Sequence, residues 1–268
     1  MYPLQLRYGD LFLHKRPLER SMWPWIVTNY SECDLTRSED KLVAISGLAR
    51  NIQLQTREEY VAGIWRDDLE LHLCWSNTGY KGPRIRPYRA PTWSWASIDG
   101  YIDPPHYELF PPGYLCIKVL EVHVEPCGLD PLGGISSASL RLSCVILIHA
   151  TIVMVGEDKA DDNMVIAGNS HLVDVQFDCI GDYFDTMLHV LPVNGYGGGT
   201  AIVGLLLQPT GRAQGQYRRV GQFTFWDEWS SREFEKSCKV QDCQAREHEY
   251  SEIRREKDGT NNFIIDMI

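Results

Sequence analysis

Thr92-Trp93-Ser94-Trp95-Ala96-Ser97-Ile98, followed by Asp99-Gly100, is where the sequence changes its period. Large apolar and small polar residues alternate, and Asp-Gly is a turn signal, so the stretch reads as a strand ending in a tight turn. Upstream, residues 23–76 read as helical. Leu42, Ile45, Leu48, Ala49 and Ile52 recur at helical steps, marking one apolar face. Thr36 with Glu39, or Ser38 and Asp40, would cap that helix. Thr56-Arg57-Glu58-Glu59 has the form of a capping box. From it Tyr60, Val61, Ile64, Trp65, Leu69 and Leu73 extend a second apolar face to about Trp75. Residues 77–92, rich in Gly, Pro and Arg, read as a connection, because Pro87 and Pro91 bar a helix.

Downstream, strands are expected over Cys116–Val124, Ser139–Val155 (one bent strand or two), His171–Cys179, Thr186–Val193, Ala201–Gln208 and Tyr217–Trp226. Glu157–Asn163 reads as an acidic loop and Gly195–Gly199 as a hairpin connection. Phe234–Lys257, with interleaved Arg, Glu and Lys, reads as a surface helix or arm, and Asn262–Ile268 as a returning strand. The expected fold is therefore α+β: an N-terminal helical segment (23–91) packed on a β-rich sandwich or barrel (92–232). Residues 1–22 form a leader or connector and 233–268 a charged tail with a possible final strand.

The 268 residues are 44% apolar and 23% charged, enough for a packed core. The formal charge of −10 lacks the basic face that nucleic acid attracts. Arg84, Arg86 and Arg89, and the pair Arg218–Arg219, are small clusters suited to carboxylate pairing. Met1–Arg20 has no continuous apolar core of a signal peptide, and the longest apolar run, Cys144–Val155, is interrupted by His149. A cytoplasmic protein with no membrane partner is expected, and the eight cysteines read as reduced thiols.

The candidate chemistry is sparse. Trp93 and Trp95 at strand spacing read as a core anchor more readily than as a ligand platform. Asp68 falls inside the second apolar face, so it needs a partner such as the Trp93 or Trp95 indole, Arg86 or Arg89, or else acts as a carboxylate of raised pKa. Cys238, Cys243 and His248 do not match zinc-module spacing. The Gly195–Thr200 loop lacks the lysine and following helix of a phosphate site, and no G-x-S-x-G elbow occurs. No cofactor or metal ligand is nominated.

Several segments, taken in order, resemble one family. Asp40-Lys41-Leu42-Val43-Ala44-Ile45-Ser46-Gly47-Leu48-Ala49 resembles the D-K-L-x-A-I-S-G-I-A segment found downstream of the fungal heterokaryon-incompatibility (HET) domain. Glu59–Leu69 resembles that family's Y-x-A-G-L-W-x-x-D-L, and Arg86–Ser97 its Y-R-A-P-S-W-S-W-A-S. Tyr217-Arg218-Arg219-Val220-Gly221 resembles its closing Y-x-R-V-G, and Trp25–Thr36 a preceding W-x-x-I-V-x-x-Y-S-x-x-x-L-T. The likeness runs from about residue 23 to 225. Motifs resembling the HET domain itself, such as Y-V-A-L-S-Y-C-W-G, are not in the sequence.

The resemblance implies a C-terminal region of a HET-type protein, truncated or standing alone. It implies a non-catalytic interaction or regulatory role with a protein partner, in non-self recognition and programmed cell death. It marks Asp68, Arg86, Arg89, Trp93, Ser94, Trp95 and Arg219 as motif positions. The alternative is an enzyme whose site, built from scattered residues, lies in the β domain.

Overall fold

A computed structural model describes residues 19–79, 81–105, 114–153, 163–166, 168–182, 187–196, 201–242, 246–255 and 261–268. Pro24 sits in the first turn of α1 (Trp23–Ser31), where a missing N–H costs nothing. α2 (Lys41–Thr56) buries Leu42, Ile45, Ala49 and Ile52 along the face that the sequence marks. A 3-10 turn over Ser38–Asp40 leads into it. No side chain caps it, contrary to the expectation for Ser38 and Asp40.

The second helix expected from Thr56 is absent. α2 ends there because Arg57 adopts a left-handed conformation (φ 61°). Thr56 donates to the Ile52 carbonyl at 3.2 Å and accepts from the Glu58 N–H, closing a helix instead of opening one. Next comes a hairpin of β1 (Tyr60–Val61) and β2 (Ile64–Trp65), turning on Ala62 (φ 49°) and Gly63 (φ 98°). Positive φ at both turn residues gives the right-handed twist that two-residue hairpins need. The apolar pattern misleads because Tyr60, Val61, Ile64 and Trp65 are all buried, so their spacing fits a helix face as well as a buried strand. A 3-10 turn at Arg66–Asp68 and the short α3 (Leu69–His72) complete the segment.

Thr92–Ile98 is not a strand either. It is a turn followed by a 3-10 helix at Trp95–Ser97, with Ser94 capping through its hydroxyl. Two small ribbons, β3 (Ser76–Asn77) and β4 (Ile102–Asp103), pair around it.

The rest is sheet: β5 (Tyr114–Leu115), β6 (Ile117–Pro126), β7 (Ile135–Cys144), β8 (Ile148–Val153), β9 (Asn163–Ile166), β10 (Asn169–Leu172), β11 (Asp174–Phe177), β12 (Leu188–Tyr196), β13 (Ala201–Pro209), β14 (Gln216–Phe225), β15 (Glu252–Arg255) and β16 (Asn261–Met267). The 139–155 run is two strands, and 171–179 splits between β10 and β11. α4 (Glu228–Asp242) starts before Phe234, the expected beginning of the charged tail.

These 12 strands form one mostly antiparallel sheet, ordered β10-β9-β8-β12-β13-β14-β16-β7-β6. It is not a closed barrel: it forks. β12 pairs with β8 through one half and β5 through the other. β14 pairs with β16 at its start and β11 at its end. The architecture is α+β with a β-rich sandwich.

Alternation across the forked sheet builds two cores. On β12, Leu188 and Val190 enter one, while Leu191 and Val193 enter the other with α1, α2 and the tryptophans. β14 serves both through a bulge: Leu207 pairs with Arg219 and Leu206 with Gly221, leaving Val220 as the extra residue. One added residue exchanges the faces. Tyr217 therefore points into the helix-side core and Phe223 and Phe225 into the other. Gly221 is required beside the bulge, since a Cβ there would stand 2.7 Å from the Gln176 carbonyl on β11.

Candidate functional site

The motif positions converge on a tryptophan clamp. Trp23 Nε1 and Trp95 Nε1 both donate to the Gly63 carbonyl, at 2.9 and 2.7 Å. Ser94 Oγ donates to the Ala62 carbonyl at 2.5 Å. The β1–β2 turn is thus held on two successive carbonyls, and a Cβ on Gly63 would lie 2.7 Å from Trp95 Nε1. Trp75 Nε1 donates to the Trp93 carbonyl at 2.9 Å, and the Arg219 guanidinium lies 3.4 Å over the Trp75 ring. Arg89 donates to the carbonyls of Ala96 and Ser38 and to Asp99, joining α2 to the segment after the clamp. Its carboxylate partner is Asp99. The Asp68 side chain lies outside the described residues, and Arg86 is exposed.

Arg219 anchors a buried ion network. Its Nη1 stands 3.1 Å from Asp178 Oδ1, both side chains fully buried, without the alignment of a hydrogen bond. Arg84 lies 3.5 Å from Asp178 and 2.9 Å from Asp182, and donates to the Arg219 carbonyl at 2.6 Å. Burial pushes the Asp178 carboxyl up from its ordinary value, against the pull of Arg219 and Arg84. Burial also brings Arg219 down to about 10. These groups tie the 77–92 connection to β14 and present no reactive atom to solvent.

A second cluster is different. His149 on β8 and His189 on β12 are direct cross-strand partners, so their side chains share one face. Their rings meet edge-on at 4.8 Å. Glu249, from the 3-10 turn Glu247–Glu249, places Oε1 2.7 Å from His149 Nε2 and 3.8 Å from His189 Nε2. Tyr217 fixes the glutamate: its hydroxyl donates to the Glu249 carbonyl at 2.8 Å, and its ring packs 5.0 Å from His189. Tyr250 adds a second tether by accepting from the Leu147 N–H. Burial, then the neighbouring His149, lowers His189 to about 4, so its imidazole is neutral at physiological pH. His189 Nδ1 is buried without a hydrogen-bond partner.

The sequence reading nominates none of these three residues. The available signal is a histidine breaking the apolar run 144–155 and another within 186–193. Only the strand register pairs them. Of the other candidates, Cys243, the Cys238 side chain and residues 197–200 of the glycine loop lie outside the described residues, as does most of the acidic loop 157–163; His248 is exposed.

An exposed feature completes the picture. Trp226, at the end of β14, and Trp229, in the first turn of α4, keep 61% and 70% of their surface in solvent. Asp174, Asp227 and Glu228 flank them, Asp174 accepting from Trp226 Nε1 at 3.3 Å and Asp227 capping α4 through the Ser230 N–H. No helix among the described residues is long and apolar enough to cross a membrane. No family model, curated protein or solved structure matches the chain.

Proposed function

We propose that this chain is a non-catalytic interaction or regulatory module of the HET type, acting in the cytoplasm in non-self recognition and programmed cell death. The likeness of its motifs to that family supports the reading, together with what those motifs do. Trp93, Ser94, Trp95, Arg89 and Arg219 are buried; Ser94 and Trp95 hold the β1–β2 turn, Arg89 the 3-10 turn before α2, and Arg219 the Trp75 ring.

The observation that carries the interaction role is the exposed Trp226–Trp229 pair in its acidic surround. Large apolar side chains in solvent, rimmed by charge, are what a docking surface presents. The acidic rim selects a protein partner offering Lys or Arg around an apolar patch. The test is expression of the chain in a fungal strain carrying a full-length HET-type protein, with cell death scored at hyphal fusion. The chain is expected to change death frequency, and the folded Trp226→Ala/Trp229→Ala variant to lose that effect. An unmodified chain without effect would overturn the proposal.

A second reading, an enzyme with its site in the β domain, draws on the His149–His189–Glu249 cluster. Loss of the effect in His149→Gln, with both tryptophans intact, would favour it.

A further inference from the structure

We propose that His149, His189 and Glu249 form a three-ligand site for a divalent first-row metal of the zinc class, independently of the docking role above. Their ligating atoms all lie within 4.8 Å of one another. Around tetrahedral zinc, ligand atoms bound at about 2.0–2.1 Å stand roughly 3.3 Å apart. The Glu249 oxygen stands 2.7 Å from one imidazole and 3.8 Å from the other, so it brackets that spacing. Small rotations about the side-chain bonds would open the first distance and close the second. Two imidazoles and one carboxylate suit a borderline cation such as zinc, not calcium or magnesium, which take oxygen ligands.

The site is built, not adventitious. The cross-strand register fixes both histidines, and Tyr217 and Tyr250 fix the turn that brings Glu249 across. Supports of this kind orient metal ligands and tune their affinity. One Glu249 oxygen serves His149 at 2.7 Å, while 3.8 Å to His189 exceeds a hydrogen bond. A shared cation would bind both imidazoles at once. The nearest competing charge is Arg246, whose Nη1 lies 4.0 Å from Glu249 Oε1 with 58% of its side chain exposed, free to swing into solvent. The His149 side chain keeps 18% of its surface exposed, giving a path for the ion and a fourth position for water.

The experiment is calorimetric titration of the metal-stripped full chain with zinc chloride, repeated with His189→Gln and Glu249→Gln. One equivalent should bind the unmodified chain and raise its Tm. Each variant should weaken binding at least about 100-fold, beyond the 10–100-fold typical of losing a supporting residue. No stoichiometric binding by the unmodified chain, or binding that survives in both variants, overturns the proposal. Cobalt(II) added to the unmodified chain gives a readout that needs no variant. Visible absorption of tetrahedral intensity without a thiolate charge-transfer band supports the nitrogen–oxygen site. A thiolate band places the metal on cysteines and overturns it.

Discussion

Tyr217 and Arg219 lie two positions apart on β14, before the same bulge, yet they serve regions of opposite character. Arg219 enters a closed interior, where two arginines face two aspartates and an indole stacks on the guanidinium. Tyr217 holds one edge of a rim cluster in which two imidazoles flank a single carboxylate oxygen, 2.7 Å from one and 3.8 Å from the other. The interior pairs its charges among themselves. The rim cluster, itself mostly buried, has one carboxylate for two imidazoles, and the exposed Trp226 and Trp229 lie at the other end of β14. A strand under selection only for packing would not need this second kind of region. The contrast sets a clamp that serves packing against the two features on which the proposals above rest.

The clamp is where the comparison breaks most violently. Arg219→Ala leaves Asp178 fully buried, with Arg84 at 3.5 Å and the buried Lys81 as its remaining cationic neighbours. Breaking a buried pair from one side costs roughly 3–5 kcal/mol, and urea unfolding should show a loss of that size. A loss below 1 kcal/mol would mean that the network is not the anchor described here. Gly63→Ala is the next largest. The methyl group would meet Trp95 Nε1 in a residue held at φ 98°, and backbone strain of this kind alone costs roughly 1–3 kcal/mol. Tryptophan fluorescence should shift together with stability, because the same carbonyl accepts from both Trp23 and Trp95.

How far this was legible in the sequence follows the same division. Sheet strands that stand out as runs at regular spacing, such as those expected at Ala201–Gln208 and Tyr217–Trp226 and found at Ala201–Pro209 and Gln216–Phe225, could be placed from their residues. The clamp could not. Tyr60 to Trp65 are buried on every side, so their spacing carries no directional information, and Ala62 gives no sign of a positive φ. The alternation of Trp93-Ser94-Trp95 comes from Ser94 capping a 3-10 turn instead of from a pleat. The rim cluster was less legible still. Forty residues separate His149 from His189, and only the β8–β12 register makes them partners. Glu249 arrives from a stretch that reads as charged tail, and the tyrosine that positions it opens the Tyr217–Gly221 segment, where Arg219 alone is singled out.

The interior should also respond to alkali. Burial pushes the Cys74 thiol, beside Arg219, up to about 12 from its ordinary value of 9.0. The folded state thus keeps a proton that the unfolded chain gives up. The stability this contributes is fully present below about pH 9 and is lost as pH rises toward 12. Each such thiol adds a slope of at most about 1.4 kcal/mol per pH unit. Unfolding free energies of the unmodified chain and Cys74→Ala, measured from pH 8 to 10.5, should therefore converge as pH rises. Parallel curves would mean that Cys74 reaches solvent more readily than its 5% exposure implies.

The smallest expected effect is the most informative about function. Trp93 is fully buried and Trp229 is 70% exposed. Truncating a buried tryptophan costs roughly 3–5 kcal/mol, whereas a surface substitution away from caps and networks stays within about 0.5 kcal/mol. Trp229→Ala should therefore leave the urea midpoint nearly unchanged, since Asp227 caps α4 independently of it. If Trp229→Ala instead lowered stability by more than 1 kcal/mol, that indole would belong to the packed interior. The surface then would lose half of its aromatic anchor, and the division between a closed clamp and an open rim would have to be redrawn along α4.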